Sequence, residues 1–381
     1  MGENMKKKKL RFLSITFVIL LFINGIGRTE QLPMVSATAA AVLDLASGQV
    51  LYNKHMHLSR PPASITKILT TIIALEEAAP EELVTVSRRA VYQEGSSIYL
   101  AEGEKISLEE LLYGIMLSSG NDASVAVAEH IAGTVEKFCD LMNRRAREMG
   151  AQNSNFVNPH GLPQADHYST AYDLAMIMCY AMNNEVFRRI TATKYKTISW
   201  AGNDWGRGLR NHNKLLWRYS DISGGKTGYT RAAGRCLIAS AGRDNREVVA
   251  VLLNSSNDWL ESRNLLDYGL DHFKQVTLLE KGELIHEIDW AGSREGRLGL
   301  ITESPITVLV PQGDRTIVKK ELYIKSELEL PIMKGDLVGS LQISVDDRLL
   351  NRTDLIAQND LNYNSIFLRF WHWMISYFNE Q

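Results

Sequence analysis

The stretch Pro61-Pro62-Ala63-Ser64-Ile65-Thr66-Lys67-Ile68-Leu69-Thr70 decides how this chain is read. Two prolines stiffen the approach, because a proline fixes φ and the residue before it avoids the α region. Ile65, Ile68, Leu69, Ile72 and Ile73 then recur at the spacings of one helical face, which predicts a helix from here to near Pro80. Ser64 falls at its first turn, where free N–H groups and the positive dipole end favour developing negative charge. Lys67, three residues on, shares a face with it. A serine hydroxyl needs a base to become a nucleophile, and an amine one turn away can supply one. Ser64 is therefore read as an acyl-accepting nucleophile. Taken alone the pattern also describes a capping serine and a surface lysine. Ser223-Gly224-Gly225-Lys226 matches it too, although its glycines disfavour a helix start. The rest of the chain has to decide.

At 381 residues the chain can bury a large core and has room for two domains. Charged residues make up 23% and the net charge is -2, so there is no electrostatic case for nucleic acid. The three cysteines, Cys139, Cys179 and Cys236, cannot all pair and show no Cys-x-x-Cys or Cys/His metal spacing. Cys179 and Cys236 sit in apolar runs and read as small buried hydrophobes. At the N-terminus, lysines at 6–9 precede an apolar run over residues 10–26, ending in Gly25-Ile26-Gly27. That is the layout of a secretory signal over residues 1–27, so an exported protein is expected.

Farther along, residues 39–44 and 49–52, split by Ser47-Gly48, read as a hairpin. Ser107-Leu108-Glu109-Glu110 is a capping box opening a helix through Leu117. Ser118-Ser119-Gly120-Asn121 interrupts it before Asp122 opens the next. Helices follow over 138–149 and 171–182, then strand runs over 236–241 and 248–253, then a helix over 259–273. After about Lys274 the texture changes to short strands with turn signals between them, which indicates a small all-β domain over residues 275–346. Residues 347–363 read as a polar linker. The closing segment 364–381 holds Ile366-Phe367-Leu368-Arg369-Phe370-Trp371-His372-Trp373-Met374, with Arg369, His372 and Ser376 in one narrow wedge of a helical wheel. It is shorter than the ~20 residues that span a bilayer. An amphipathic helix lying on the membrane surface is expected.

Three motifs stand in order: Ser64-x-x-Lys67, Ser119-Gly120-Asn121 and Lys226-Thr227-Gly228. Ser-x-Asn is uninformative by itself, since Ser255-Ser256-Asn257 and Ser262-Arg263-Asn264 match too. Only Ser119 lies between two predicted helices and upstream of the single Lys-Thr-Gly. Glycines around Lys226 would let a ligand approach the strand backbone. This ordered set occurs in class A β-lactamases and penicillin-binding proteins. With Ser119-Gly120-Asn121 in the middle, it resembles the serine D-alanyl-D-alanine carboxypeptidases. Asn158-Pro159-His160-Gly161-Leu162, Gly225-Lys226-Thr227-Gly228-Tyr229-Thr230 and Ala233-Gly234 carry the likeness further, as does the layout of signal, catalytic domain, β domain and amphipathic tail.

The resemblance implies an α/β (α+β) serine β-lactamase-like catalytic domain over residues 35–274, acting on peptidoglycan stem peptides without a metal or other cofactor. It implies β-lactam antibiotics as inhibitors and a place at the outer face of the cytoplasmic membrane. Ser64 would attack the carbonyl between two D-alanines, with Lys67 as base. Ser119 would relay a proton to the departing D-alanine, and Asn121 would bind the substrate amide and orient Lys67. Lys226 and Thr227 would suit the terminal carboxylate, helped by Arg263. The N–H groups of Ser64 and Tyr229, the latter next to Gly228, would form the oxyanion site. A β-lactamase would share fold and motifs, but class A enzymes deacylate with a loop glutamate. No Glu-x-x-Leu-Asn occurs between Asn121 and Lys226. A silent β-lactam sensor or wall-binding module is the other alternative. His160 and His167, flanking Asp166, could suggest a metal, but the resemblance makes them loop-structuring residues, and no third ligand stands at a usual metal spacing.

Overall fold

The structure is a computed structural model that describes residues 15–17, 32–290, 293–312, 318–325, 328–345 and 348–363. The chain divides into two compact units. One covers Gln31–His272; the other begins at Phe273 and includes the short strand Ile15–Phe17.

The first unit is built on an antiparallel sheet. Its strands are β1 (Ala39–Asp44), β2 (Val50–Lys54), β3 (Ile222–Thr230), β4 (Gly234–Arg243) and β5 (Arg246–Leu253), in spatial order β2-β1-β5-β4-β3. All six residues of β1, and Val248 to Leu253 of β5, are buried. Strands covered on both faces read as continuous apolar runs rather than alternating ones. The β1–β2 hairpin turns where expected, with Ser47 N–H donating to Asp44 Oδ1 at 2.9 Å and Gly48 at φ +69°.

Helices α1 (Lys67–Glu77), α2 (Leu108–Leu117), α3 (Asn121–Ala132), α4 (Val135–Glu148) and α5 (Ala171–Ala181) contribute to the core beside the sheet. The expected capping box at Ser107 is present. Its Oγ accepts from Glu110 N at 3.3 Å and donates to Glu110 Oε2 at 3.0 Å. Thr170 caps α5 by accepting from Asp173 N at 3.0 Å. Helix α6 (Asp258–Asp271) closes the unit. The strand β3, which carries Lys226-Thr227-Gly228, lies at the sheet edge.

The second unit is all-β among its described residues, with a core that includes Leu298, Leu300, Ile306, Val310, Val338, Leu341 and Leu355. Two boundaries differ from the sequence reading. Phe273–Leu279 is already a strand, pairing with Ile306–Pro311. Residues 347–363 are not a linker: Arg348–Ala357 is a strand paired along Leu337–Val345, with Leu341 opposite Thr353. Its polarity misleads because one face meets solvent. Arg352 and Asp354 are exposed, whereas Thr353, Leu355 and Ala357 are buried, the alternation of a half-buried strand. No helix among the described residues is long and apolar enough to cross a membrane. The expected tail helix lies outside the described residues, as does the expected signal except for Ile15–Phe17.

Candidate active site

Ser64 does not sit in the α-helix itself. Residues Ala63–Thr66 form a 3₁₀ turn and α1 begins at Lys67. Ala63 enters that turn at φ +50°, a left-handed conformation uncommon for residues other than glycine. Against it packs the loop Asn158-Pro159-His160-Gly161-Leu162. Gly161 adopts φ +85°, and a Cβ there would lie 1.9 Å from the Ala63 carbonyl oxygen, so only glycine fits. The loop is internally tied, with Gly161 N–H donating to Asn158 Oδ1 at 2.7 Å. The backbone carbonyl of His160 then points at Lys67.

Lys67 is fully buried. Its Nζ lies 2.7 Å from Asn121 Oδ1, 2.7 Å from the His160 carbonyl oxygen and 3.1 Å from Ser64 Oγ. A neutral amine has two N–H bonds and one lone pair. Two acceptors and one hydroxyl are the partners such an amine needs, leaving the lone pair for the Ser64 proton. Burial pushes the Lys67 pKa well below 10.5, the Lys226 charge adds to this, and Asp122 opposes it.

Ser119 and Asn121 come from the break between α2 and α3. Ser119 has φ +64°, so the chain turns sharply there. Asn121 N–H donates to the Ser96 carbonyl at 2.7 Å and its Nδ2 to the Glu94 carbonyl at 2.6 Å, which fixes the amide with Oδ1 toward Lys67. The neighbouring Asp122, also buried, accepts from Ser97 Oγ at 2.6 Å, Ile98 N at 3.0 Å and Leu100 N at 3.2 Å. It thereby pins the segment carrying Ser96 to the same helix start.

Across the cleft, Lys226 Nζ lies 3.1 Å from Ser119 Oγ and 3.0 Å from the Thr227 carbonyl. Burial lowers its pKa to about 7. A Cβ on Gly228 would approach Ser64 N to 3.1 Å, Ala63 Cβ to 3.1 Å and the Pro62 carbonyl to 3.2 Å. The edge strand and the nucleophile turn are thus as close as a bare backbone permits. Ser64, Ser96, Ser119, His212, Lys214, Thr227, Gly228, Tyr229, Arg235, Asp258 and Trp259 line a cleft of about 560 Å³.

Not every expectation survives. Arg263 is not among the cleft-lining residues. It forks onto Asp221 at 2.7 and 3.0 Å, reaches Asp267 at 2.8 Å, and stacks over Tyr219 with 4.4 Å to the ring centroid. Its donors already serve the fold. The second Ser-x-x-Lys match belongs to strand β3, where Ser223 Oγ donates to Glu247 and lies 2.9 Å from Ser240 Oγ. His160 and His167 are committed to their loop: Leu162 N–H donates to His160 Nδ1 at 3.2 Å and Val157 N–H to His167 Nδ1 at 3.1 Å. His167 Nε2 meets Thr66 Oγ1 at 3.0 Å. Burial drives their pKa values to about 3 and about 4. Cys236 is buried with its pKa raised to about 11 by desolvation, unlike an activated thiolate. Sequence reasoning missed Asp122, Ser96, His212, Lys214, Arg235, Asp258 and Trp259. The position of Asp122 beside Asn121 was the one available signal.

Residues 27–257 match the family model described as D-alanyl-D-alanine carboxypeptidase, and residues 273–363 match penicillin-binding protein 5, C-terminal domain. The chain is 34% identical over 359 residues to the D-alanyl-D-alanine carboxypeptidase DacF of Bacillus subtilis, covering 91% of each chain. It is 30% identical to DacD of Escherichia coli K12 over 90% of this chain and 91% of that one. Among solved structures it is similar to penicillin binding protein 5 from Haemophilus influenzae, with a TM-score of 0.74 at 28% identity, covering 87% of this chain and 99% of the other.

Proposed function

We propose, for a chain that belongs to the D-alanyl-D-alanine carboxypeptidase family, that Ser64 is the nucleophile that removes the terminal D-alanine from peptidoglycan stem pentapeptides. The observation that carries this is the amine of Lys67, fully buried and 3.1 Å from Ser64 Oγ with both its N–H groups engaged elsewhere. Lys67 takes the Ser64 proton as Oγ bonds to the carbonyl carbon between the two D-alanines. The oxygen that becomes anionic is met by the N–H groups of Ser64 and Tyr229 at the narrow gap beside Gly228. Ser119, backed by Lys226, passes its proton to the amide nitrogen as the C–N bond breaks and is reprotonated from Lys67, and D-alanine leaves. A water then adds to the acyl-enzyme, giving its proton to the neutral Lys67, which returns it to Ser64 Oγ as the ester bond breaks.

β-Lactams acylate the same serine. Their leaving group stays tethered and obstructs the path for water, so they act as slow, long-lived inhibitors. The lysine-rich apolar N-terminus supports export, and the amphipathic wedge of residues 364–381 supports peripheral attachment at the outer face of the cytoplasmic membrane.

Parallel measurement of D-alanine release from a pentapeptide and of penicilloate release tests the assignment, with peptide mapping of the penicillin label. One D-alanine per peptide, slow penicilloate release and a label on Ser64 are expected. Rapid penicilloate turnover without D-alanine would make this a β-lactamase, and silence in both assays would favour a sensor.

A further inference from the structure

Ser96 lines the cleft, and the segment around it, residues 94–100, forms neither helix nor strand. Its place is therefore set by contacts from α2 and α3. The Ile98 side chain fills a notch that two glycines leave open. A Cβ on Gly114 of α2 would fall 2.6 Å from Ile98 Cδ1, and one on Gly120 would fall 3.2 Å from Ile98 Cγ2. The backbone of the segment is held by Asp122, in the first turn of α3. Asp122 Oδ2 accepts from Ser97 Oγ at 2.6 Å, Ile98 N at 3.0 Å and Leu100 N at 3.2 Å, while Oδ1 accepts from Ala123 N at 2.9 Å.

Asp122 is 0% exposed. Burying a carboxylate is costly unless donors meet it, and here four uncharged donors do so. An asparagine in its place would turn an NH₂ group toward N–H groups on one side. The segment so held fixes Asn121 in turn. The Ser96 carbonyl accepts from Asn121 N, and the Glu94 carbonyl accepts from Asn121 Nδ2. Gly95, between these two carbonyls, has φ +90°, and a Cβ there would fall 2.7 Å from Asn121 Nδ2. Asn121 Oδ1 is then left to meet Lys67 Nζ at 2.7 Å. Two adjacent residues of α3 thus grip one segment, and the aim of the Asn121 amide depends on the grip of Asp122.

The carboxylate also acts on Lys67 through space. Burial and the Lys226 charge favour the neutral amine, and the Asp122 charge opposes them. Lys226 reaches the site from β3. His160 and His167, from the loop behind Lys67, are neutral above about pH 4.

We infer that Asp122 is a positioning residue for Ser64 acylation, which holds the cleft segment that aims Asn121 and supplies the anion that acts on Lys67. This rests on the reading of Ser64 as nucleophile and Lys67 as base given above.

The test follows Ser64 acylation by benzylpenicillin, by intact-protein mass spectrometry, as a function of pH in wild type, Asp122→Asn and Ser97→Ala. Asp122→Asn should slow acylation about 10²-fold, the scale of a misplaced catalytic group. It should also move the acid limb of the rate profile to lower pH, because Lys67 loses an anion that favours its protonated form. Ser97→Ala keeps the carboxylate and removes one donor, so it should slow acylation less and leave the limb in place. A wild-type rate in Asp122→Asn, or a slowed rate with the limb unmoved, would reduce Asp122 to a structural role and overturn the inference. A limb that moved in Ser97→Ala, where the charge is kept, would overturn it as well. If Asp122→Asn does not fold by circular dichroism, Ser97→Ala and Gly95→Ala decide, and wild-type rates in both would overturn the inference. If wild type is acylated at Ser64 but releases no D-alanine from a pentapeptide, the carboxypeptidase reading fails separately, and Asp122 is still read from the acylation rates. A wild type that takes no label on Ser64 would overturn both.

Discussion

Asn121 Oδ1 accepts a 2.7 Å hydrogen bond from Lys67 Nζ, and the Nδ2 of the same amide is tied to the Glu94 carbonyl at 2.6 Å. The base is therefore aimed by a side chain that cannot flip without breaking two bonds. Lys67→Ala should leave the fold intact by circular dichroism and slow penicillin acylation at least ~10³-fold, within the range for loss of a general base. Asn121→Ala keeps the amine but frees it, and a loss of ~10²-fold is expected. Stopped-flow or quenched acylation rates check both. Wild-type acylation by Lys67→Ala would require a different base.

Gly228→Ala tests the gap between the edge strand and the nucleophile. The added methyl meets Ser64 N, Ala63 Cβ and the Pro62 carbonyl at 3.1 to 3.2 Å, closer than ordinary contact. It should narrow the oxyanion site and reduce acylation ~10²- to 10³-fold, the scale of losing one oxyanion donor. Thermal unfolding should move far less than the rate does. A variant that acylates normally would place the oxyanion elsewhere.

Stability should fall on acidification through the loop that backs the base. His160 and His167 have folded pKa values of about 3 and about 4, below the ordinary 6.5. Between those values the unfolded chain binds more protons than the folded one. Their contribution is thus fully present above pH 6.5 and is lost as pH falls through 4 toward 3. For His167 the shift corresponds to on the order of 3 kcal/mol. Denaturant titrations from pH 7 to pH 4 should show this slope, and His167→Gln should flatten it. An unchanged slope in that variant would assign the acid sensitivity to other groups.

Removal of residues 364–381 from the signal-cleaved protein should release it from membranes with soluble peptidase activity retained. The wedge of Arg369, His372 and Ser376 in an otherwise apolar aromatic segment motivates this. Flotation of full-length and truncated protein with liposomes reads it directly. If the truncated form still floats, the tail is not the anchor.

Local chemistry was readable without the fold. The cap at Ser107, the Ser47-Gly48 turn and the apolar runs of β1 and β5 depend on neighbours a few residues away, and periodicity reports such neighbours. The three motifs were readable because each is short and their order is distinctive. The strand Arg348–Ala357 was missed because a half-exposed strand with arginine and aspartate outward resembles a solvated linker until its partner is known. What only the tertiary structure decided are relations between distant positions. Lys226 meets Ser119 across 107 residues, and Lys67 meets the His160 carbonyl across 93. Arginine carries the same donors wherever it stands, so its identity could not separate Arg263, whose donors Asp221 and Asp267 occupy, from Arg235, which lines the cleft. The depressed pKa of Lys67 has the same origin. Desolvation is produced by everything packed around a group, and that is settled only when the chain has folded.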